Sequence, residues 1–205
     1  MEEDFTRISR RTPNTLYRVS QFFRALTARD LAPGEWDEVS SVLSPSQLML
    51  FQRMTMGDQR HSLQVMQTLA TKGNTDRKLL AAALLHDVGK SFYTLRLWER
   101  PVVVLIRHYR PGAAVRWGRQ IEREPWGWKR PFVVYEQHPA WGASMTEAAG
   151  CSPLTIWLIR WHHGAPERHG TYERLESWQE SPALHGQEKS QRELLLALRW
   201  ADSEN

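Results

Sequence analysis

Apolar positions along this chain recur mostly at helical spacing, and turn residues cut them into short blocks. Tyr17, Phe22, Phe23 and Leu26 form a first helical block, which Pro33-Gly34 closes. Ser44-Pro45-Ser46 opens a second, with proline near the first turn, and Leu48, Leu50, Phe51, Met54 and Met56 supply its apolar side until Gly57-Asp58 weakens it. His61 to Leu69 reads as a third, with Leu63, Val65, Met66 and Leu69 apolar. Lys72-Gly73-Asn74 is a turn, and Thr75 or Asp76 caps the helix that carries the unbroken apolar run Leu79 to Leu85.

The second half follows the same pattern. Val102 to Ile106 alone would suit a strand, but it reads better as part of a buried helix that starts near Pro101 and breaks at Pro111-Gly112. Pro131 to Glu136 fits no single pattern. Pro139 to Ala149 reads as a helix with proline at its start, ended by Gly150, and Ser152-Pro153 opens another through Trp157, Leu158 and Trp161. Glu167 to Glu188 is polar and loop-rich, and a last helix runs from about Ser190 to Asp202. Repeats, heptads and strand hairpins are not evident. The expected class is therefore all-α: one helical domain over residues 44–205, preceded by an accessory helical segment over residues 1–43.

Composition fits that picture. A chain of 205 residues builds one sizeable core. Hydrophobic content of 41% with 24% charged residues marks an ordinary soluble protein. The one cysteine, Cys151, excludes an internal disulfide framework and suits a reducing compartment. No apolar stretch approaches the roughly 20 residues of a membrane span, and the N-terminus lacks the order of a signal peptide. The expectation is a cytoplasmic protein with no membrane span.

Charge adds one local feature. The formal net charge is +4, which favours anionic partners without singling out polymeric nucleic acid. From Arg96 to Arg130 there are eight Arg and one Lys against three Glu, with Trp98, Trp117, Trp126 and Trp128 interleaved. That stretch is either a solvated face anchored by tryptophans or a surface for a phosphate-rich ligand, a partner or an anionic membrane.

The apolar run Leu79 to Leu85 ends abruptly in His86-Asp87, and Lys90 follows. Buried polar groups are costly unless paired, so this ending asks for a partner. Further candidates lie along the chain: His61 upstream, His138 just before Pro139, the pair His162-His163, and Asp202 near the end of the last helix. Each interval is about one or two helices plus a turn, and bundles build metal sites from side chains on facing helices. Imidazole with carboxylate suits Zn, Mn, Fe, Co and Ni. Seven ligand candidates, five of them histidine, are more than one ion uses and about right for two. Taken singly, His61 reads as a core histidine, His162-His163 as a helix C-terminus, and Asp202 as a surface charge. His108, His169 and His185 have no supporting context.

The order His61, His86-Asp87 within HDVGK, then Asp202 resembles the HD domain superfamily of metal-dependent phosphohydrolases, and His138 with His162-His163 resembles its two-metal, HDIG and HD-GYP-like branch. The resemblance covers about residues 57–204. It implies an HD-domain helical bundle in which His61, His86, Asp87 and Asp202 form the core site with Asp87 bridging. His138, His162 and His163 would complete a second ion, and Lys90 would face the substrate phosphate. Two features depart from the pattern. No GYP element follows His163 in HHGAPERHGTYERL, which argues against specificity for cyclic di-GMP. Some relatives carry a carboxylate for a third ion one turn before the first histidine, where this chain has Gly57.

The implied reaction is hydrolysis of a phosphate ester or phosphodiester, with a nucleotide as one substrate class. Arg60, Arg160, Arg168, Trp141 and Trp161 lie near the motifs in sequence and would suit phosphate or base contacts, or plain packing. Two alternatives stay open at this level: a single-metal nucleotidase or pyrophosphohydrolase, and a catalytically weak regulatory module that keeps the metal fold.

Overall fold

The computed structural model describes residues 30–93, 99–119, 127–163 and 185–205. The expected first block, Tyr17 to Leu26, lies outside them. Among the described residues every regular element is helical, as the pattern predicts. The order is α1 (Pro33–Val42), α2 (Pro45–Gln52), α3 (Met56–Thr71), α4 (Arg77–Leu85), a 3₁₀ segment (Val88–Phe92), α5 (Glu99–Tyr109), α6 (Pro111–Gly118), a 3₁₀ turn (Gly127–Lys129), α7 (Arg130–Ala148), α8 (Pro153–Trp161) and α9 (His185–Glu204).

Local signals place most starts. Ser44 caps α2 through a reciprocal pair with Gln47, 3.5 Å from its amide to the Ser44 hydroxyl and 3.1 Å from the Ser44 amide to Oε1. Thr55, Asp76 and Ser152 cap α3, α4 and α8, each accepting a backbone N–H of the first turn. Gly73 and Gly150 adopt positive φ, 84° and 72°, just past α3 and α7, where only glycine is unstrained.

Three expectations need correction, all involving proline or glycine. Pro33-Gly34 lies in the first turn of α1 rather than in a breaking turn, because proline suits the first helical turn; the element it is expected to close lies outside the described residues. The helix begun at Ser44 stops at Gln52; Gly57-Asp58 belongs to the first turn of α3, where Asp58 pairs with the Thr55 cap. The break before Pro111 is as expected: α5 ends at Tyr109 and Pro111 starts α6. Pro139 does not start a helix: α7 runs through it without interruption, absorbing the ambiguous Pro131–Glu136 stretch. The last helix also begins earlier than expected, at His185.

The main core gathers Phe51, Leu63, Leu69, Leu79, Leu84, Leu85, Leu158, Ile159 and Leu198 from α2, α3, α4, α8 and α9, with Leu43 from the C-terminal cap of α1. Leu31 and Val39 join it from α1 and the residues before it, and Trp36 packs edge-on against Phe51 at 6.0 Å. Burying side chains of this size contributes about 1.5–3 kcal/mol each before entropy is counted. A smaller cluster, Val103, Ala114 and Phe132 with Trp117 and Tyr135 against it, joins α5 and α6 to the first half of α7. Here the basic, Trp-rich stretch resolves in part. Trp117 packs on Trp128 and Phe132 at 4.8 and 5.2 Å, while Arg107 pairs with Glu136 and Arg130 with the buried Glu99. Trp98 and Trp126 lie outside the described residues.

Candidate metal centre

Two helix ends and three helix faces deliver the candidate side chains to one place. α4 ends at Leu85 with its apolar residues buried, so His86 and Asp87 emerge inside the molecule, His86 with no exposure and Asp87 at 2%. The next turn can lie flat on α7 only because residue 89 is glycine: a Cβ there would sit 1.9 Å from the His138 carbonyl oxygen and 2.7 Å from the Gly142 nitrogen. His138 itself is buried on the inner face of α7. α8 ends at Trp161 and presents His162, which is buried, and His163, which is exposed. His61 on α3 and Asp202 on α9 close the other side, 2.9 Å apart between Nε2 and Oδ1.

Asp87 is the hub. Its Oδ2 lies 3.4 Å from His86 Nε2 and accepts a hydrogen bond from Lys90 Nζ. Its Oδ1 lies 3.3 Å from His138 Nε2 and 3.9 Å from His162 Nε2. Asp202 Oδ1 also reaches His86 Nε2, at 3.5 Å. The donors fall into two groups, His61-His86-Asp87 and His138-His162-His163, the ligand atoms of each lying within 4.8 Å of one another. The sequence-derived set of seven thus converges, and Lys90 stands beside it.

The three buried rings share an orientation. Nδ1 donates to a backbone carbonyl three residues earlier in each case: His86 to Ala83 at 2.8 Å, His138 to Tyr135 at 2.8 Å with Val134 a longer second acceptor at 3.2 Å, and His162 to Ile159 at 2.6 Å. A carbonyl only accepts, so Nδ1 carries a proton, and wherever the ring is neutral Nε2 is a bare lone pair. His138 Nε2 and His162 Nε2 face each other at 3.3 Å. Two lone pairs at that distance repel unless a cation lies between or beside them. His86 Nε2 and Asp87 Oδ1 are also buried without a hydrogen-bond partner, an unusual loss in a folded interior. This donor set fits a cation.

Electrostatics divide the centre into two sides. Burial opposes a charge on His86, yet Asp87 and then Asp202 outweigh it and raise its pKa to about 10. Burial, reinforced by His86 and His138, pushes His162 down to about 3. Burial likewise opposes charge on Asp87 and Asp202, but Lys90 and His86 hold the first, and His61 and His86 the second, well below the usual carboxylate range. Lys90 is held charged against burial by Asp87 and then Asp58. The pocket therefore seeks positive charge on the His86 side and keeps a neutral imidazole at His162.

The family model for the HD domain matches residues 59–203. The chain belongs to the HD domain family. No curated protein and no solved structure matches it. Membership places this HD domain among the metal-dependent phosphohydrolases, and its two clusters, one of three histidines and one of two histidines with Asp87, could hold metal ions.

Not every candidate belongs to the centre. Arg60 is engaged by Glu35, at 2.8 Å, and by the Asp30 carbonyl, at 3.0 Å, so it fastens α1 to α3. Arg160 is exposed on α8, Arg168 and His169 lie outside the described residues, and His108 is exposed on α5. The sequence reading missed two contributors. Asp58, readable only as a cap partner of Thr55, reaches Lys90 through space. Arg199 donates to the Trp161 and His162 carbonyls at 2.6 and 3.0 Å, tying α9 to the end of α8 that bears the histidine pair. Among the described residues no helix is long and apolar enough to cross a membrane.

Proposed function

We propose that this HD domain is a two-metal phosphohydrolase acting on a phosphate ester or phosphodiester, with nucleotides as the favoured substrate class. One observation carries the reading: the two oxygens of Asp87 face different donor groups, Oδ2 toward His86 and Oδ1 toward His138 and His162. His61, His86, Asp87 and Asp202 would hold one divalent transition-metal ion. Asp87, His138, His162 and His163 would hold the other, with Fe, Mn, Zn, Co and Ni all compatible with nitrogen and oxygen donors. Bound ions supply Lewis-acid charge for phosphoryl oxygens and a nucleophilic water at neutral pH.

The chain's own residues do the rest. The buried rings and the wall of α4 hold the donors at fixed spacing, and rigid mounting is what this class of chemistry needs. Lys90, about one-third exposed with its ammonium on Asp87, places a positive charge at the mouth, where it would neutralise phosphate charge as it builds. Phe92, Tyr93 and Trp141 pack together at centroid distances of 5.1 to 5.6 Å immediately beyond Lys90 and one turn beyond His138, and Phe92 is 54% exposed. Such a rim suits a base or aryl group. The buried, unpaired thiol of Cys151, raised to about 11 by burial, suits a cytoplasmic setting.

Elemental analysis of freshly purified protein, with turnover of bis(4-nitrophenyl) phosphate and a nucleotide panel in added Mn or Fe, tests the reading. Two ions per chain and metal-dependent release of 4-nitrophenol are expected. One ion per chain would replace it with a single-metal hydrolase. No turnover with any metal would replace it with a binding module.

A further inference from the structure

We infer that Pro139 is a positioning residue for His138: lacking an N–H, it leaves the Tyr135 carbonyl open to the His138 Nδ1 proton and so turns Nε2 toward Asp87 and His162. The comparison that reveals this lies within the centre itself. His86, His138 and His162 all donate Nδ1 to the carbonyl three residues earlier. For two of them the carbonyl is free for an ordinary reason. Ala83 sits in the last turn of α4 and Ile159 in the last turn of α8, where the final four carbonyls of a helix have no partner within it.

His138 has no such excuse. It lies in the middle of α7, well past the start of a helix that continues to Ala148. There the Tyr135 carbonyl would receive the N–H of the residue four positions on, which is residue 139. That residue is proline, buried, and inside the helix. Proline has no N–H, and its ring crowds the carbonyl four residues back. The carbonyl it releases is the nearer of the two that His138 Nδ1 reaches, at 2.8 Å against 3.2 Å for the Val134 carbonyl one position back. An interior proline is costly to a helix, so its place beside a ligand candidate calls for a compensating gain. The gain is local: a helix interior is made to offer a carbonyl as a helix end would, and the third ring is locked like the other two. Restoring an N–H at 139 would draw the carbonyl back along the helix axis and return the ring to a choice of tautomers. Metal ligands depend on such outer partners, whose loss typically costs about 10–100-fold in affinity.

The inference deepens the metal reading of the same site but is testable without metal. Long-range ¹⁵N–¹H NMR on metal-free, ring-labelled protein reads which nitrogen of His138 bears the proton. The wild type is expected to show Nδ1–H. Pro139→Ala is expected to shift population to Nε2–H, and to weaken one equivalent of Zn in a calorimetric titration by about 10–100-fold, while Tm stays level or rises. An α-hydroxy acid at position 139, the ester analogue of alanine, lacks both the ring and the N–H and is expected to restore the wild-type tautomer. The inference is overturned if Pro139→Ala keeps Nδ1–H and full affinity, or if the ester analogue loses the Nδ1–H state. The ester analogue decides alone if Pro139→Ala does not fold. A wild type that binds no Zn would instead refute the metal reading and leave the tautomer result standing.

Discussion

Gly89 lies against the backbone of His138, leaving no room for even one methyl group between the turn after α4 and α7. The glycine of HDVGK is thus a packing requirement rather than a flexible joint. Its neighbours are backbone atoms of α7, which cannot swing aside as a side chain would. Gly89→Ala is expected to cost at least the upper end of the about 1–3 kcal/mol usual for overpacking. Urea denaturation would show the lowered midpoint. Metal retention would fall with it, since the same shift separates Asp87 from His138.

Asp87 and Lys90 share one hydrogen bond but not one role. Asp87→Ala removes the oxygens that face both donor groups and leaves buried imidazoles uncompensated. Elemental analysis of this variant is expected to show both ions lost, with activity at background. Lys90→Ala keeps the donors in place, so metal content is expected to stay at the wild-type level. Turnover should drop by roughly 10²–10³-fold, the usual effect of removing one group that stabilises developing charge. A fully active Asp87→Ala protein would refute the assigned chemistry.

Arg199 reaches across from α9 to two carbonyls that α8 cannot satisfy itself. Arg199→Met keeps the apolar stem and deletes both hydrogen bonds. A loss of about 1.5–3 kcal/mol, as for hydrogen bonds to a charged group, is expected in chemical denaturation. During stepwise chelation, the equivalent held by His162 and His163 should leave first.

Arg60 offers a contrast. Its pairing with Glu35 is partly exposed, at 29% and 26%, so Arg60→Ala is expected to cost no more than about 1 kcal/mol. Its guanidinium is committed to α1, so KM for a phosphate ester should be unchanged. A raised KM with unchanged Tm would return Arg60 to the substrate site.

How legible was all this from the residues alone? The ordered set from His61 to Asp202 could be read because ligand chemistry restricts residue type. It also helped that His86 and Asp87 end a long apolar run, where two polar groups would be costly to bury without a ligand. The starts at Ser44-Pro45, Asp76 and Ser152-Pro153 were legible because capping is local. Pro139 was misread because proline ordinarily begins a helix, and only the placement of His138 shows what holds it in an interior. Arg199 and Asp58 act across helices that sequence spacing does not connect. The early stop at Gln52 also escaped, since Met54 and Met56 continue the apolar rhythm past the point where Thr55 claims the next cap.

The contact between His61 and Asp202 joins residues 141 positions apart. Chain that long must be gathered before the two ends meet, and the entropy of doing so is lost before any contact compensates it. A cation seated there would act as a buckle between α3 and α9, since anything bound only by the folded form drains the open population by mass action. Resistance to digestion would then track cation supply, and the ions that serve the chemistry would also set how long each molecule survives.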